Sequence, residues 1–327
     1  MMKYMKYGQY VWSIFIMIIV AILFEKFKMH NAENDEERNY RLVKKYLVTE
    51  SSLAKSKLPI LWIYMDYSKN SRNWASFYSR NSEDLNQPYI FLTIKSIIDR
   101  CGNDFNICLI NDTSLKNIVP DWNINLDSVG DPVKSKLRDL ACAKLLNFYG
   151  GLFVPPSFLC LKNLKQVYKE STANGKICVG DMLNKNVTSE YSFTLLSRNF
   201  IGSRKNNETI KEYIDYIQKD ISTDYTAASI FEGNLDRWLY KQEKMGKVSK
   251  IPANLLGVKD NDGKVVLIEN LIGTSFVDFS CNALGIYIPQ DEILKRTDFN
   301  WFARLSADQA IKSDTTIGKL LLINYNC

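Results

Sequence analysis

Carboxylates and arginines, rather than histidines, are the groups that could carry out chemistry in this chain. The only histidine among its 327 residues is His30. A Ser-His-Asp triad, a Cys-His pair and a multi-histidine metal site each need an imidazole beside the reacting centre. His30 lies next to an apolar N-terminal segment. Any reaction must therefore use carboxylates, Lys or Arg, hydroxyl groups or a bound metal.

Several candidates follow or flank short apolar segments. Asp66 ends "LPILWIYMD", Asp112 ends "FNICLIND", and Asp181 follows "KICVG". Arg198 and Arg204 flank "NFIGS". Carboxylates are ligands for divalent cations, and arginines bind phosphate. The alternative for each residue alone is a carboxylate that caps a helix, or an arginine in a solvated turn.

Composition limits the classes of partner. The net charge of +6 is modest, and no Lys/Arg run has interleaved aromatic residues, which argues against a nucleic-acid partner. The seven cysteines contain no C-x-x-C pair and mostly lie in apolar segments. This pattern predicts buried free thiols rather than a zinc site or a disulfide framework.

The N-terminus predicts a membrane anchor. Residues 7–24, "YGQYVWSIFIMIIVAILF", carry no charge and are just long enough to cross a bilayer as a helix. A cleaved signal peptide or a buried soluble helix is the alternative. We assign residues 1–29 as a single-pass anchor and residues 30–57 as a polar stalk. Lysines on both flanks leave the orientation open. The sequence also leaves open whether the membrane is a host or a viral membrane.

Residues 58–327 predict an α/β domain. Strands at 58–65, 105–112 and 151–161 alternate with helices at 89–101 and 133–150. Such alternation predicts a mainly parallel, Rossmann-type sheet covered by helices on both faces. Ligands bind beyond the carboxyl ends of such strands, which indicates Asp66, Asp112 and the turn at residues 155–157.

The rest of the domain continues with strands at 176–182 and 191–203 and an amphipathic helix at 207–221. A hairpin around residues 261–263 and a helical tail follow. The length of the last ~100 residues is compatible with a lid, a second domain or a partner surface.

The segment "RDLACAKLLNFYGGLFVPPSFLCLKNL" at residues 138–164 resembles a sugar-transferase family. This family includes capsular-polysaccharide-synthesis proteins and proteins that initiate α-mannosyl extension. "PILWIYMD", "ICLIND" and "FIGSRKNNETIKEYIDYI" extend the similarity over most of residues 58–221. The resemblance implies a GT-A-like fold that binds a nucleotide sugar with a divalent cation and transfers the sugar to a glycan or protein acceptor.

The resemblance also implies roles for individual residues. Asp139 matches a carboxylate on the nucleotide side, and Gly150 and Gly151 match the paired glycines of the family motif. The family's arginine three residues after the carboxylate corresponds to Cys142. A thiol cannot pair with phosphate as a guanidinium does.

The two metal-binding aspartates of the family's Asp-x-Asp motif correspond to Pro155 and Ser157. A diphosphate leaving group needs a cation or a fixed positive charge, and Mg²⁺ or Mn²⁺ needs carboxylate oxygens. Proline offers only a carbonyl, and serine a neutral hydroxyl. No metal ligand is therefore predicted at this turn.

Two hypotheses follow. In the first, the chain is an active glycosyltransferase whose Mn²⁺ or Mg²⁺ is held by Asp181, or by Asp66 with Asp112. In a metal-free form of this hypothesis, Arg198, Arg204 and Lys205 neutralise the diphosphate. Either form would transfer a sugar from a nucleotide sugar.

In the second hypothesis, the chain is a catalytically inactive, membrane-tethered binding or structural protein. The substitutions at Cys142, Pro155 and Ser157 favour this hypothesis over metal-dependent catalysis. The Lys-, Asn-, Ile- and Tyr-rich composition is similar to that of proteins from AT-rich large DNA viruses, which suggests a role at a viral membrane. A phosphatase or nuclease that uses Asp66 has no second motif to support it.

Overall fold

A computed structural model describes residues 58–65, 87–182, 196–223 and 228–326. The predicted anchor at residues 1–29, the predicted stalk at 30–57 and Asp66 lie outside these ranges. Within these ranges, no helix is both long and apolar enough to cross a bilayer. The described residues belong to one compact unit.

Eight strands form two sheets in the described part of the chain. In chain order they are β1 (Ile60–Tyr64), β2 (Asn106–Ile110), β3 (Gly151–Phe153), β4 (Phe158–Cys160), β5 (Ile177–Asp181), β6 (Leu196–Ser203), β7 (Val248–Ile251) and β8 (Gly285–Tyr287). Six of them form one sheet in the order β2-β1-β3-β6-β5-β7, and β4 pairs with β8. Only β6 runs opposite to the other strands of the larger sheet, which confirms the mainly parallel α/β prediction.

Helices connect and flank the strands. They are α1 (Ile90–Cys101), α2 (Asp112–Ile118), α3 (Val133–Tyr149), α4 (Lys165–Ser171), α5 (Glu208–Ser222), α6 (Ala228–Lys244), α7 (Ile268–Ile272), α8 (Gln290–Lys295), α9 (Asn300–Ala303), α10 (Ala307–Lys312) and α11 (Thr316–Asn326). The predicted helices at 89–101, 133–150 and 207–221 correspond to α1, α3 and α5. The predicted hairpin is present as an antiparallel bridge between Lys259 and Val265.

The predicted strand at residues 151–161 is present as two strands, because the chain breaks at the predicted turn. The Pro155–Pro156 pair has no backbone N–H to donate to a neighbouring strand. β3 therefore ends at Phe153 and β4 begins at Phe158. β4 leaves the larger sheet and pairs antiparallel with β8, so that Phe158 lies opposite Tyr287.

The larger sheet is buried on both faces. Side chains alternate between the faces of a strand, and all of Ile60, Leu61, Trp62 and Ile63 are buried. Ile60 and Trp62 belong to the core that the sheet forms with α2, α3, α5 and α6. Burial on both faces explains why β1 has a continuous apolar sequence rather than an alternating one.

The order of the strands creates a topological switch point. β1 lies between β2 and β3 and pairs parallel with both. The connection from β1 to β2 therefore leaves on one side of β1, whereas the chain that enters β3 arrives on the other side. A crevice forms at the carboxyl ends of two such strands, where open α/β sheets bind ligands.

The C-terminal region completes the same unit rather than forming a separate domain. β8 covers β4, and the backbone N–H of Ile288 donates to the Ser157 carbonyl at 3.2 Å. The Gln87 amide donates to the carbonyl of Gln290 at 3.1 Å. These contacts hold the start of α8 against the turn that follows β3.

The cysteines in the described ranges are free thiols. Cys101, Cys108, Cys160 and Cys178 are buried, as the sequence predicts. The prediction is wrong for Cys281, which is exposed, and Cys142 is only partly covered, because its side chain faces a cavity described below.

A buried ion pair joins α3 to α5. Lys136 Nζ lies 3.0 Å from Asp220 Oδ2, and the two side chains are 2% and 1% exposed. The Asn234 amide donates to the other carboxylate oxygen at 2.8 Å. Breaking a buried pair leaves one charge without compensation, and this costs more than replacing both partners by apolar residues.

We predict that Lys136→Met lowers the free energy of unfolding by about 3–5 kcal/mol. The double variant Lys136→Met/Asp220→Leu should regain most of this loss, because it removes both buried charges. Urea denaturation of the full-length chain in detergent measures both values. The control is Lys211→Met, which breaks an exposed pair with Glu208 and should cost less than about 1 kcal/mol. Equal losses for the single and double variants would contradict this prediction.

Candidate functional site

A cavity of about 290 Å³ opens at the switch point, beside the carboxyl ends of β1 and β3. Its size is at the lower end of the ~300–1,000 Å³ range of small-molecule sites. The ends of β1 and β3, the first half of α3, the start of β6, α5 and the start of α8 line it. Segments that are distant in sequence, from β1 to α8, therefore meet at the place where the strand order predicts a ligand.

The turn after β3 forms one wall, and its backbone oxygens already accept hydrogen bonds from the protein. The Pro155 carbonyl accepts from the Phe158 N–H at 3.1 Å. The Pro156 carbonyl accepts from Thr93 Oγ1 at 2.6 Å. Ser157 is 1% exposed, and its hydroxyl has no hydrogen-bond partner within the described ranges.

The residues of this turn do not fit a divalent cation. Mg²⁺ and Mn²⁺ prefer carboxylate and water oxygens, but Pro155 has no side-chain ligand and Ser157 has only a neutral hydroxyl. In the part of the chain that the structure describes, no three Asp, Glu, His or Cys side chains are close enough to hold a metal. The side chains of this turn therefore supply no ligand for a divalent cation.

Arg138 reaches the cavity from α3, where Asp112 holds its guanidinium. Arg138 Nε and Nη2 donate to the two carboxylate oxygens of Asp112 at 3.0 and 2.7 Å. The Tyr64 hydroxyl donates to the same carboxylate, and Lys134 Nζ lies 3.5 Å away. Partial burial opposes ionisation of Asp112, but the bonds from Arg138 and Tyr64 outweigh it and lower the pKa. Asp112 is thus an ionised anchor for Arg138.

Arg198 reaches the cavity from β6 and lies between two carboxylates. Its Nε is 3.0 Å from Asp139 Oδ2, and its Nη1 is 3.5 Å from Asp236 Oδ2. Burial raises the pKa of Asp139 to about 6, although the Arg198 charge opposes this rise. Burial also raises the pKa of Asp236. Two carboxylates compete for one guanidinium.

Cys142 lines the same wall, one turn of α3 after Asp139. Burial raises the pKa of its thiol well above the usual value, and the Asp139 charge adds to the rise. The thiol is therefore neutral and cannot bind an anion as an arginine would. Arg198, on a different element, supplies positive charge to this wall.

Tyr213 presents a second hydroxyl without a partner. The side chain lines the cavity and is 3% exposed, and its hydroxyl has no hydrogen-bond partner within the described ranges. Its ring stacks on Trp238 with centroids 5.0 Å apart, which fixes the direction of the hydroxyl. Because most buried polar groups in native proteins are satisfied, the Ser157 and Tyr213 hydroxyls indicate a place that a polar ligand would fill.

The structure brings Asp112, Asp139, Pro155, Ser157 and Arg198 together at the carboxyl edge of the sheet. All except Asp112 line the cavity, and Asp112 acts on the cavity through Arg138. These residues come from three different parts of the chain.

The structure places other predicted residues elsewhere. Gly150 follows the last residue of α3 and Gly151 begins β3, both at the amino edge of the sheet. Gly151 pairs with Ser203, so that Arg204 also lies at this edge. Because β6 runs antiparallel to β3, about 20 Å of extended chain separates Arg198 from Arg204. Asp181 ends β5, two strands from β3, where Lys250 Nζ lies 3.7 Å away.

Sequence reasoning missed several residues of the site. Arg138 adjoins Asp139 and could have been found from that position. Tyr213 lies on the apolar face of α5, where the helical pattern predicts only core packing. Asp236, Tyr287 and Asp291 come from the C-terminal region, which carried no motif, and only the fold brings them to this edge.

No protein-family model matches this chain, and no curated protein matches it. The fold and the geometry of the cavity are therefore the basis for its function.

Gly150 is required by the close approach of another chain segment, whereas Gly175 has a similar φ in open space. Gly150 has φ +72°, and a Cβ there would lie 2.8 Å from the backbone N of Lys205. Gly175 has φ +73°, but a Cβ there would meet nothing within 4 Å.

We predict that Gly150→Ala lowers the free energy of unfolding by roughly 2 kcal/mol more than Gly175→Ala, which costs about 1 kcal/mol through backbone strain alone. The two positions share a positive φ, but Gly150 also has ψ −167°, a conformation that is essentially restricted to glycine. The difference therefore reports the steric clash together with this backbone strain. Urea denaturation of both variants measures it. Similar losses would show that the clash at Gly150 is relieved by a small shift of the backbone.

We predict that Tyr213→Phe leaves the free energy of unfolding unchanged or raises it, because the hydroxyl has no partner to lose. The matched control is Tyr168→Phe. The Tyr168 hydroxyl is also buried, but it donates to the Ser203 carbonyl at 2.9 Å, and its loss should cost about 1 kcal/mol. Thermal or urea denaturation compares the two variants. A clear loss of stability in Tyr213→Phe would contradict the assignment of an unsatisfied hydroxyl.

Proposed function

We propose that this chain is a membrane-anchored, glycosyltransferase-like protein that binds a nucleotide sugar in the switch-point cavity without a divalent cation. The observation that carries this proposal is the meeting of two arginines with two unpartnered buried hydroxyls at the carboxyl ends of β1 and β3. The resemblance of residues 138–164 to sugar transferases supports the same ligand class.

The cavity offers a group for each part of a nucleotide sugar. Arginine guanidiniums are planar donors that match phosphate oxygens. The rings of Tyr64 and Tyr287 line the cavity and give an apolar surface for a base. Ser157 and Gln290 also line it, and their side chains suit the hydroxyl groups of a sugar.

Arg198 is the group that would take the place of the cation. A fixed positive charge in a partly buried site stabilises the negative charge that develops on a diphosphate leaving group. Arg198 supplies that charge from a strand, while Pro155 and Ser157 occupy the positions where the related family has metal ligands. Binding in the presence of a chelator follows from this arrangement.

Sugar transfer needs a base in addition to the groups that bind the donor. As the acceptor oxygen bonds to the sugar and the bond to the diphosphate breaks, a base must take the acceptor proton. Asp291 lines the cavity at the start of α8 and is the candidate base. The acceptor would be a glycan or protein hydroxyl.

The second candidate is binding without transfer. Asp139, the other carboxylate of the cavity wall, forms an ion pair with Arg198 at 3.0 Å and is thus less available as a base. This pairing, with the absence of carboxylates from the turn after β3, favours a protein that recognises a nucleotide sugar and leaves it intact.

The test is calorimetric titration of UDP- and GDP-sugars into the full-length chain in detergent, with Mn²⁺ and with EDTA. We expect the same affinity in both solutions. Arg198→Gln should weaken binding about 10- to 100-fold, because it removes a charged hydrogen-bond donor. Asp181→Asn, a buried carboxylate outside the cavity lining, is the control and should bind normally.

Binding that requires Mn²⁺ would overturn the cation-free site. No binding of any donor by a folded chain would overturn the nucleotide-sugar assignment altogether. Product analysis with the bound donor then separates the two candidates. Release of nucleoside diphosphate that Asp291→Asn abolishes indicates transfer, whereas an intact donor indicates a binding protein.

A further inference from the structure

The Arg198 guanidinium cannot pair with an anionic ligand and keep both of its carboxylate ion pairs unchanged. Asp139 lies 3.0 Å and Asp236 lies 3.5 Å from it. The three side chains are 22%, 19% and 26% exposed, in the order Arg198, Asp139, Asp236. Arg198 and Asp139 line the cavity, and Asp236 lies beside Arg198 outside the lining. A phosphate group placed on Arg198 would face two negative charges.

The charged and titratable groups around Asp139 come from each element packed on it. They are Arg198 from β6, Asp236 from α6, Tyr213 from α5, and Lys136 and Cys142 from α3 itself. Lys136 is already paired with Asp220 at 3.0 Å, so Arg198 is the cation that pairs with Asp139. An anion that binds near Asp139 must therefore share the positive charge of Arg198 with this carboxylate.

We propose that Asp139 competes with the ligand for Arg198, so that an anion binding there displaces the carboxylate and Asp139 takes up one proton from solvent. The inference rests on the proposed function, because the anion would be the diphosphate of the donor. The step is balanced: one proton joins the carboxylate, and the anion replaces it as the partner of Arg198. The resulting carboxylic acid can donate a hydrogen bond to the anion.

Two further observations support Asp139 rather than Asp236 as the group that is protonated. Asp139 is the nearer of the two carboxylates and lines the cavity, whereas Asp236 does not. Burial already raises the pKa of Asp139 to about 6, so a nearby anion that raises it to about 7 protonates half of the Asp139 side chains at neutral pH.

The direction of the pH dependence follows by linkage. An anion raises the pKa of Asp139, so binding takes up a proton, and the same coupling makes the anion bind more tightly as the pH falls. The affinity should fall about tenfold between pH 5.5 and pH 7.5, because Asp139 is ionised in the free protein above pH 6.

The test uses sulfate as the probe, since sulfate keeps its charge over this range and every proton taken up is therefore bound by the protein. Calorimetry of the full-length chain is carried out at pH 6.5 in two buffers of different ionisation enthalpy, and affinity is measured at pH 5.5 and 7.5. We expect uptake of roughly 0.6–0.7 proton per sulfate at pH 6.5, because about a quarter of Asp139 is already protonated there in the free protein, and the tenfold loss of affinity between pH 5.5 and pH 7.5.

Asp139→Asn should reduce proton uptake to near zero and make the affinity independent of pH. Asp181→Asn, whose carboxylate pairs with Lys250 outside the cavity, should keep the wild-type uptake, and Arg198→Gln should lose sulfate binding. If Asp139→Asn takes up as many protons on sulfate binding as the wild type does, the inference is overturned. It is also overturned if the folded protein does not bind sulfate at pH 5.5. Proton-linked sulfate binding without nucleotide-sugar binding would support the inference and refute the proposed donor.

Discussion

The parallel pairing of β3 with β1 is the constraint on which the site depends, and one hydrogen bond holds its start. Trp62 Nε1 donates to the Gly150 carbonyl at 2.9 Å, and the Trp62 ring packs on Tyr149 and Phe153. A Cβ on Gly151 would lie 2.3 Å from the Ile60 carbonyl. Because β1 and β3 approach this closely, the first residue of β3 must be glycine.

This pairing fixes both edges of the sheet. α3 returns from the carboxyl edge to the amino edge, so its first half carries Arg138 and Asp139 beside the cavity while its last turn delivers Gly150 to the opposite edge. β3 then brings Pro155 and Ser157 back to the carboxyl edge. The antiparallel direction of β6 places Arg198 there as well, and it sends Arg204 away.

The cavity is polar beyond what the fold needs for its own stability. Two hydroxyls of the cavity lining have no partner within the described ranges, and the guanidinium of Arg198 is shared between two carboxylates. Each feature costs the protein stability, which is the pattern expected where groups are organised for a ligand. Positive charge on a strand, rather than a metal held by a turn, is the basis on which we propose nucleotide-sugar binding.

The sequence by itself determined the mainly parallel sheet, the helices α1, α3 and α5, and the place of the turn after β3, because hydrophobic periodicity and glycine and proline positions are local signals. It also located Asp139 and Arg198 as candidates. It did not separate Arg204 and the two glycines from the site, and it missed Tyr213, Asp236 and Asp291. Only the tertiary structure decided those points, because the direction of β6 and the return of the C-terminal region to the sheet edge depend on long-range pairing that no local pattern encodes.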